Sequence, residues 1–484
     1  MKTFLSIIII SISFSLYSQT KSNIKLLKSN ELILGPADSN YWVCKGNVVF
    51  KHNNTIMECD SSYHYKNSNK IIAFSNIKIE KEKSLKVYGN KLIYYGNKNS
   101  GEIIDSVVLY RGETKLKTNK IKFNLDSNII YYKEKTKIID NKLEIESNKG
   151  WYEIDKKIFY FREEVVLNYK KVNIISDTLN YFLKEKIMTF HGPTKISNLN
   201  LEMFSDKLTY DPEKNHMVLK KNNIIFKNQY QIRADSIFNN INTNFSKAFH
   251  NVSIHDTTNK SMILGDTAEH YNSFNSIIVK SNSMIKSPQK TDTLQIKADN
   301  IIVEENCILA FPNVIIYKKE MIGRCDSLSY KTIDSNIELF KKPILWFNDM
   351  QISADSMIMY TKNNDLEKIL LFPNPFIIKP TDSEFFNQII GKEIIAYMKN
   401  NKIDLISILG NSKSIYVLRE EENKEIIGIN ITESYGMRLN FKEKRINKIT
   451  YTNEPISKTI PKKDITEKNK KLENFSWRIN EKPK

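Results

Sequence analysis

The sequence predicts an elongated antiparallel β-jellyroll built from about twelve hairpin repeats of about 29 residues. Three observations predict it. One octapeptide is spelled nearly the same three times: QIRADSIF at 231–238, QIKADNII at 295–302 and QISADSMI at 351–358. Its aspartate belongs to a series of anchor positions that recur at an almost constant interval. Around each anchor, apolar and polar residues alternate with the period of a strand, and turn-rich spots separate the legs.

The anchors are Asp60, Asn90, Asn119, Asn148, Asp177, Asp206, Asp235, Asp266, Asp299, Asp326, Asp355 and, degenerately, Lys392. Their spacings are 30, 29, 29, 29, 29, 29, 31, 33, 27, 29 and 37. The residue before each anchor is small throughout, from Cys59 and Gly89 to Ala354 and Gly391. Three before it stands an apolar residue, Gly323 excepted, and four after it aromatics are commonest, as at Tyr94, Phe123, Tyr152, Tyr181, Tyr210 and Tyr330.

The apolar set alternates up to the anchor and resumes one residue out of phase beyond it. Such a slip requires a bulge or corner if the same face is to stay inward. Asp60, Asp177, Asp206, Asp235, Asp266, Asp299, Asp326 and Asp355 are therefore read as repeat corners, with side chains expected to bond nearby backbone N–H groups. A calcium site or a catalytic carboxylate is disfavoured, because each unit carries one acid with no partner. Between anchors lies a second run, as in GNVVF at 46–50, HNVSI at 250–254 and PNVII at 312–316. Each unit is thus a strand, a turn, a returning strand and another turn. A parallel β-helix with one coil per repeat is the rival, but turns every ~14 residues favour hairpins.

One unit cannot bury its own apolar face, whereas stacked units bury a continuous one. The residues expected to line that interior are Ile174, Leu179, Tyr181, Met203, Leu208, Tyr210, Ile232, Ala234, Ile237, Ile296, Ala298, Ile301, Ile352, Ala354 and Met357. A packed core and a lipid path demand the same alternation, so the pattern leaves both open, as it does a structural surface solenoid or adhesin.

Residues 1–19, MKTFLSIIIISISFSLYSQ, have the charged start and short apolar run of a secretory signal. Export is the expectation. The net charge is +18, nearly all of it lysine spread along the chain. Diffuse placement argues against a nucleic-acid face. Cys44, Cys59, Cys307 and Cys325 form no CxxC, and reflecting each hairpin about its turn does not pair them. His52, His64, His250, His255 and His270 lack metal-ligand spacing. No nucleophile, phosphate-loop or dinucleotide motif occurs, so neither an enzyme nor a cofactor nor a metal is expected. The repeats are placed at 20–400, degenerate repeats at 401–454 and a solvated basic tail at 455–484, whose Phe475 and Trp477 would be its anchors were it to dock.

The unit, apolar-x-apolar-x-small-Asp-x-apolar-x-Tyr followed by Gly-Asn-Val, resembles the OstA/LptA family of lipopolysaccharide-transport bridge proteins. Ile232-Arg233-Ala234-Asp235, Ile296-Lys297-Ala298-Asp299 and Ile352-Ser353-Ala354-Asp355 carry it most clearly, with Gly46-Asn47-Val48 and His250-Asn251-Val252 in the second leg. Residues 436–451 and 472–484 look like the end of long OstA-like proteins. The resemblance implies a periplasmic β-jellyroll whose interior shields the acyl chains of lipopolysaccharide, with no catalytic residue of its own. It also implies pairing through edge strands with an LptC-like inner-membrane anchor and an LptD-like outer-membrane translocon. The repeat count exceeds that of the family's short bridge proteins.

Overall fold

The computed structural model describes residues 22–483 apart from 37–39, 82–84, 199–200, 259, 272–275, 289–291, 332, 334–335, 363–364, 401, 424 and 443–444. The signal expected at 1–19 lies outside the described residues. The chain is almost entirely antiparallel β-structure and divides into two compact units, Met1–His191 and Gly192–Lys484.

Strands of 11 or 12 residues follow one another as hairpins, for example Leu201–Asp211, His216–Lys227, Tyr230–Asn240 and Phe245–Asp256. In register, Met203 faces Ile225, Ile225 faces Ile232, and Ile232 faces Ile254. The described ladders are antiparallel, which removes the parallel β-helix. Each long strand bends at its anchor or, on a returning leg, opposite the neighbouring anchor, so its two halves contribute to two facing walls. In places the bend breaks the strand outright, as between Ile129–Tyr132 and Thr136–Asp140, or Cys307–Phe311 and Val314–Lys318.

The bend differs in two details from the sequence expectation. The extra residue sits on the returning leg, not on the anchor strand. Lys220 faces Ser236 and Asn223 faces Ala234, so Lys221 and Asn222 together oppose Asp235 alone. Those two residues have φ of 71° and 54°. Paired left-handed residues recur at Gly46–Asn47, Ser75–Asn76, His250–Asn251 and Ser281–Asn282. Asparagine suits the second place because it tolerates this region better than other side chains. These pairs open the GNVVF-type runs, which is why those runs repeat.

The second difference concerns the anchor carboxylates. Six of the eight accept from the amides of left-handed asparagines, where bonds to backbone N–H groups were expected. Asn76 Nδ2 donates to Asp60 Oδ2 (2.7 Å), Asn251 to Asp235 (2.8 Å), Asn282 to Asp266 (2.7 Å), Asn313 to Asp299 (2.8 Å) and Asn374 to Asp355 (2.7 Å). Asp206 accepts from Asn222 (2.5 Å), and Asp326 pairs with Lys341 (2.7 Å). Where the anchor is an amide the roles reverse: Asn90 donates to Asp105 (2.9 Å) and Asn148 to Glu164 (2.8 Å). The corners form a ladder of acid–amide rungs along the outside of the bend.

Inside the bend the walls are too close for bulk. A Cβ added to Gly89 would lie 2.4 Å from Ile103 Cγ2, and one added to Gly265 would lie 2.3 Å from Val279 Cγ1. This contact explains the small residue before each anchor. The four cysteines are free thiols, and burial pushes Cys59 and Cys325 up to about 12.

Residues 456–483 depart from the solvated tail expected there. Ile456–Pro461 pairs with Ile426–Lys442. Leu472, Phe475 and Trp477 then pack with Phe376, Ile378, Ile415 and Val417. The intended anchors Phe475 and Trp477 do dock, but on this chain. Two fully buried glutamines grip the segment's backbone. Gln388 Nε2 donates to Lys470 O (2.9 Å) while its Oε1 accepts from Leu472 N (2.8 Å). Gln351 does the same with Ser476 O (2.7 Å) and Arg478 N (2.8 Å).

Candidate lipid trough

The expected lining residues face the interiors. Ile174, Leu179 and Tyr181 do so in the first unit, and all three are buried. In the second, Met203, Leu208, Tyr210, Ala234, Ile237, Ile296, Ala298, Ile301, Ile352, Ala354 and Met357 are buried. Ile232 alone is half-buried. Ile174, Leu179, Leu208, Tyr210, Ile301, Ile352 and Met357 are 0% exposed. In this state the interior is filled by its own side chains, so any lipid path is closed. The corner acids, Asp177 included, lie at the surface, exposed or half-buried.

Polar side chains stretch between the walls at the mouth, away from the bend. Sequence reading missed these rungs. They take the place beyond the last inward apolar residue on one wall, as with His52 after Val48 and Phe50. They meet residues three strands further on, from the other wall. His52 Nδ1 lies 2.7 Å from Tyr94 Oη. Lys81 donates to Asn128 Oδ1. Asp140, almost wholly buried, accepts from Tyr181 Oη and Lys186 Nζ, both at 2.6 Å. Burial pushes the Tyr94 phenol up, keeping it protonated for its bond. In the second unit Lys227 Nζ lies 2.9 Å from His270 Nε2. The signal for these rungs was a polar residue recurring at the repeat interval, at His52, Lys81, Arg111 and Asp140.

The first unit keeps an apolar crevice behind such a rung. Ile79, Val87, Ile103, Ile121, Phe123 and Ile154 line it, with Thr55, Lys81 and Asn124 at its polar edge. Among the described residues no group of His, Cys, Asp and Glu is placed to hold a metal ion. No described helix is long and apolar enough to cross a membrane.

No curated protein matches the chain significantly. Residues 21–177 match the family model described as OstA-like protein, and that stretch holds the crevice, the His52–Tyr94 and Lys81–Asn128 rungs and the first corners. Over residues 21–177 the chain is therefore similar to OstA-like proteins.

Proposed function

We propose that this protein is a long OstA-like carrier, without catalytic activity. It works in the periplasm as a bridge between inner and outer membranes, holding the acyl chains of lipopolysaccharide within its β-interior during outer-membrane assembly. The observation that carries the reading is the single inward apolar face maintained by repeat after repeat, in a chain whose 21–177 stretch is similar to OstA-like proteins. The polar rungs give that interior a mouth that opens by breaking hydrogen bonds rather than by unfolding a wall.

Docking to an LptC-like or LptD-like partner falls to the edge strands. Glu31–Leu34 pairs with Trp42–His52 and leaves its other edge free among the described residues. Leu32, Ile33 and Leu34 are 47%, 46% and 68% exposed. An apolar strand with unpaired backbone groups is a template for strand addition.

The closed interior equally favours a second reading, a structural solenoid with a sealed core. A photo-crosslinker at Leu208, Ile232 or Ile296 separates the two. The carrier captures lipopolysaccharide from these positions and not from the exposed Arg233 or Lys297. Equal labelling of both faces, or none, leaves the solenoid. Depleting the protein in its cell is expected to stop lipopolysaccharide reaching the surface; unaffected export would reject the carrier.

A further inference from the structure

One rung at the mouth differs in kind from the others. His52 with Tyr94, Lys81 with Asn128, and Asp140 with Tyr181 and Lys186 each set a donor against an acceptor. Lys227 sets a cation against a second base, His270. An ammonium has three N–H donors and accepts nothing. The imidazole takes one of them and leaves two without a partner among the described residues. The acid on the next hairpin, Asp256, flanks Tyr230 on the side away from Lys227, and its Oδ1 accepts from Thr258 N (2.9 Å). Glu269, beside His270 in the strand, is committed to Lys247 and Lys280 (2.8 and 2.9 Å). Burial lowers the proton affinity of Lys227, and burial followed by the neighbouring Lys227 takes His270 down to about 4. The ring is thus neutral near pH 7 and serves as a pure acceptor at Nε2.

The repeat also loosens around this rung. The place four after the anchor, a tyrosine in most earlier units, holds Asn239 and His270 here. Ile232 is half-buried where its counterpart Ile352 is fully enclosed. An unmatched, partly desolvated cation beside a loosened apolar interior fits a ligand with an anionic head and an alkyl tail. A charged hydrogen bond made there is stronger than one in open water.

We propose that Lys227 and His270 form an anion subsite at the mouth of the second unit's interior, and that it takes a phosphate monoester, the head group of an amphiphile. Two ammonium N–H groups reach the phosphate oxygens while His270 Nε2 holds the third and fixes the amine's direction. The inference rests on the carrier reading above.

The test is calorimetric titration of the full chain near neutral pH with two soluble amphiphiles sharing a dodecyl tail, dodecyl phosphate and uncharged dodecyl maltoside. The subsite predicts a preference for dodecyl phosphate of about 10- to 100-fold, the range of one or two charge-assisted hydrogen bonds. Lys227→Met is expected to erase that preference while keeping dodecyl maltoside affinity, which also shows that the variant is folded. Lys227→Arg is expected to retain it. Inorganic phosphate that displaces dodecyl phosphate supports a site for free phosphate as well; failure to displace it supports a head-group site that needs its tail. Equal affinity for both amphiphiles, or a preference that survives Lys227→Met, overturns the subsite alone. Binding of neither overturns the carrier reading and the subsite with it.

Discussion

Gln231 and Gln351 occupy the same place in two nearly identical octapeptides, yet their surroundings differ completely. Gln231 is half-buried on an outer wall, next to the exposed Arg233. Gln351 is 0% exposed and holds Ser476 and Arg478 through both ends of its amide. The local sequence sets the strand, its bend and its inward face in both cases. What covers the outward face is decided 125 residues further along the chain. Around Gln351 the outer wall is covered rather than solvated: Ile344 and Trp346, on the same face as Gln351, are buried, and Ser353 stands where the earlier copy has Arg233. The same hairpin is therefore a half-solvated wall in one region and the middle layer of a sandwich in the other.

The sharpest way to break this contrast is to remove residues 465–484. That uncovers Phe376, Ile378, Ile415 and Val417 and leaves two buried glutamines without partners. It is the largest effect expected, with loss of cooperative unfolding in the last repeats and a tendency to aggregate. Leu472→Ala alone should cost about 2–5 kcal/mol, as for a buried leucine elsewhere. Gln351→Ala should cost about 1–3 kcal/mol through the orphaned Ser476 carbonyl and Arg478 N–H. Gln231→Ala should stay within about 0.5 kcal/mol. Urea unfolding of the three variants checks the order. Equal costs for the two glutamine changes would erase the distinction between the regions.

The inner side of the bend offers a smaller effect, and one common to both regions. Gly89→Ala forces a methyl to within 2.4 Å of Ile103 Cγ2 and should cost about 1–3 kcal/mol. Ala234→Gly should cost under about 1 kcal/mol, while Ala234→Trp should prevent the corner from closing. Normal stability for Ala234→Trp would place that residue away from the bend. Thermal unfolding distinguishes these outcomes.

How far the sequence could be read follows from the same contrast. Period-2 alternation, small residues before the anchors and turn spacing are local, so the strands, the bend and the antiparallel hairpins were all legible. The inward set was legible too, with Ile232 the one member left half-buried. The rungs were not, because His52 and Tyr94 meet across the interior from different hairpins and no local pattern pairs them. Nor was the docked segment at 465–483. Its lysines, among them Lys468, Lys470 and Lys471, mark it as solvated, yet only Leu472, Phe475 and Trp477 need to face inward for it to pack. The expectation of carboxylates bonding to backbone failed for a related reason. The partner of Asp235 is Asn251, 16 residues away across a hairpin, and it is reachable only because the returning leg turns left-handed there.

That ladder gives the smallest effect and the cleanest test of what the anchors do. Each rung is exposed, so losing one should cost only about 0.5–1.5 kcal/mol. Asp235→Asn places two amides in the rung, and Asn251→Asp places two carboxylates there; the second should be the worse, since like charges repel and aspartate is the poorer occupant of a left-handed site. The double exchange, Asp235→Asn with Asn251→Asp, should recover most of the loss. The protein has already made a version of that exchange at Asn148 with Glu164, so the geometry accepts either order. A double-mutant cycle measured by urea unfolding reads the coupling directly. Recovery shows that the anchor acts through its cross-strand partner. Additive losses would mean that each residue is chosen for its own backbone alone, and the ladder would then be a consequence of the bend rather than one of its causes.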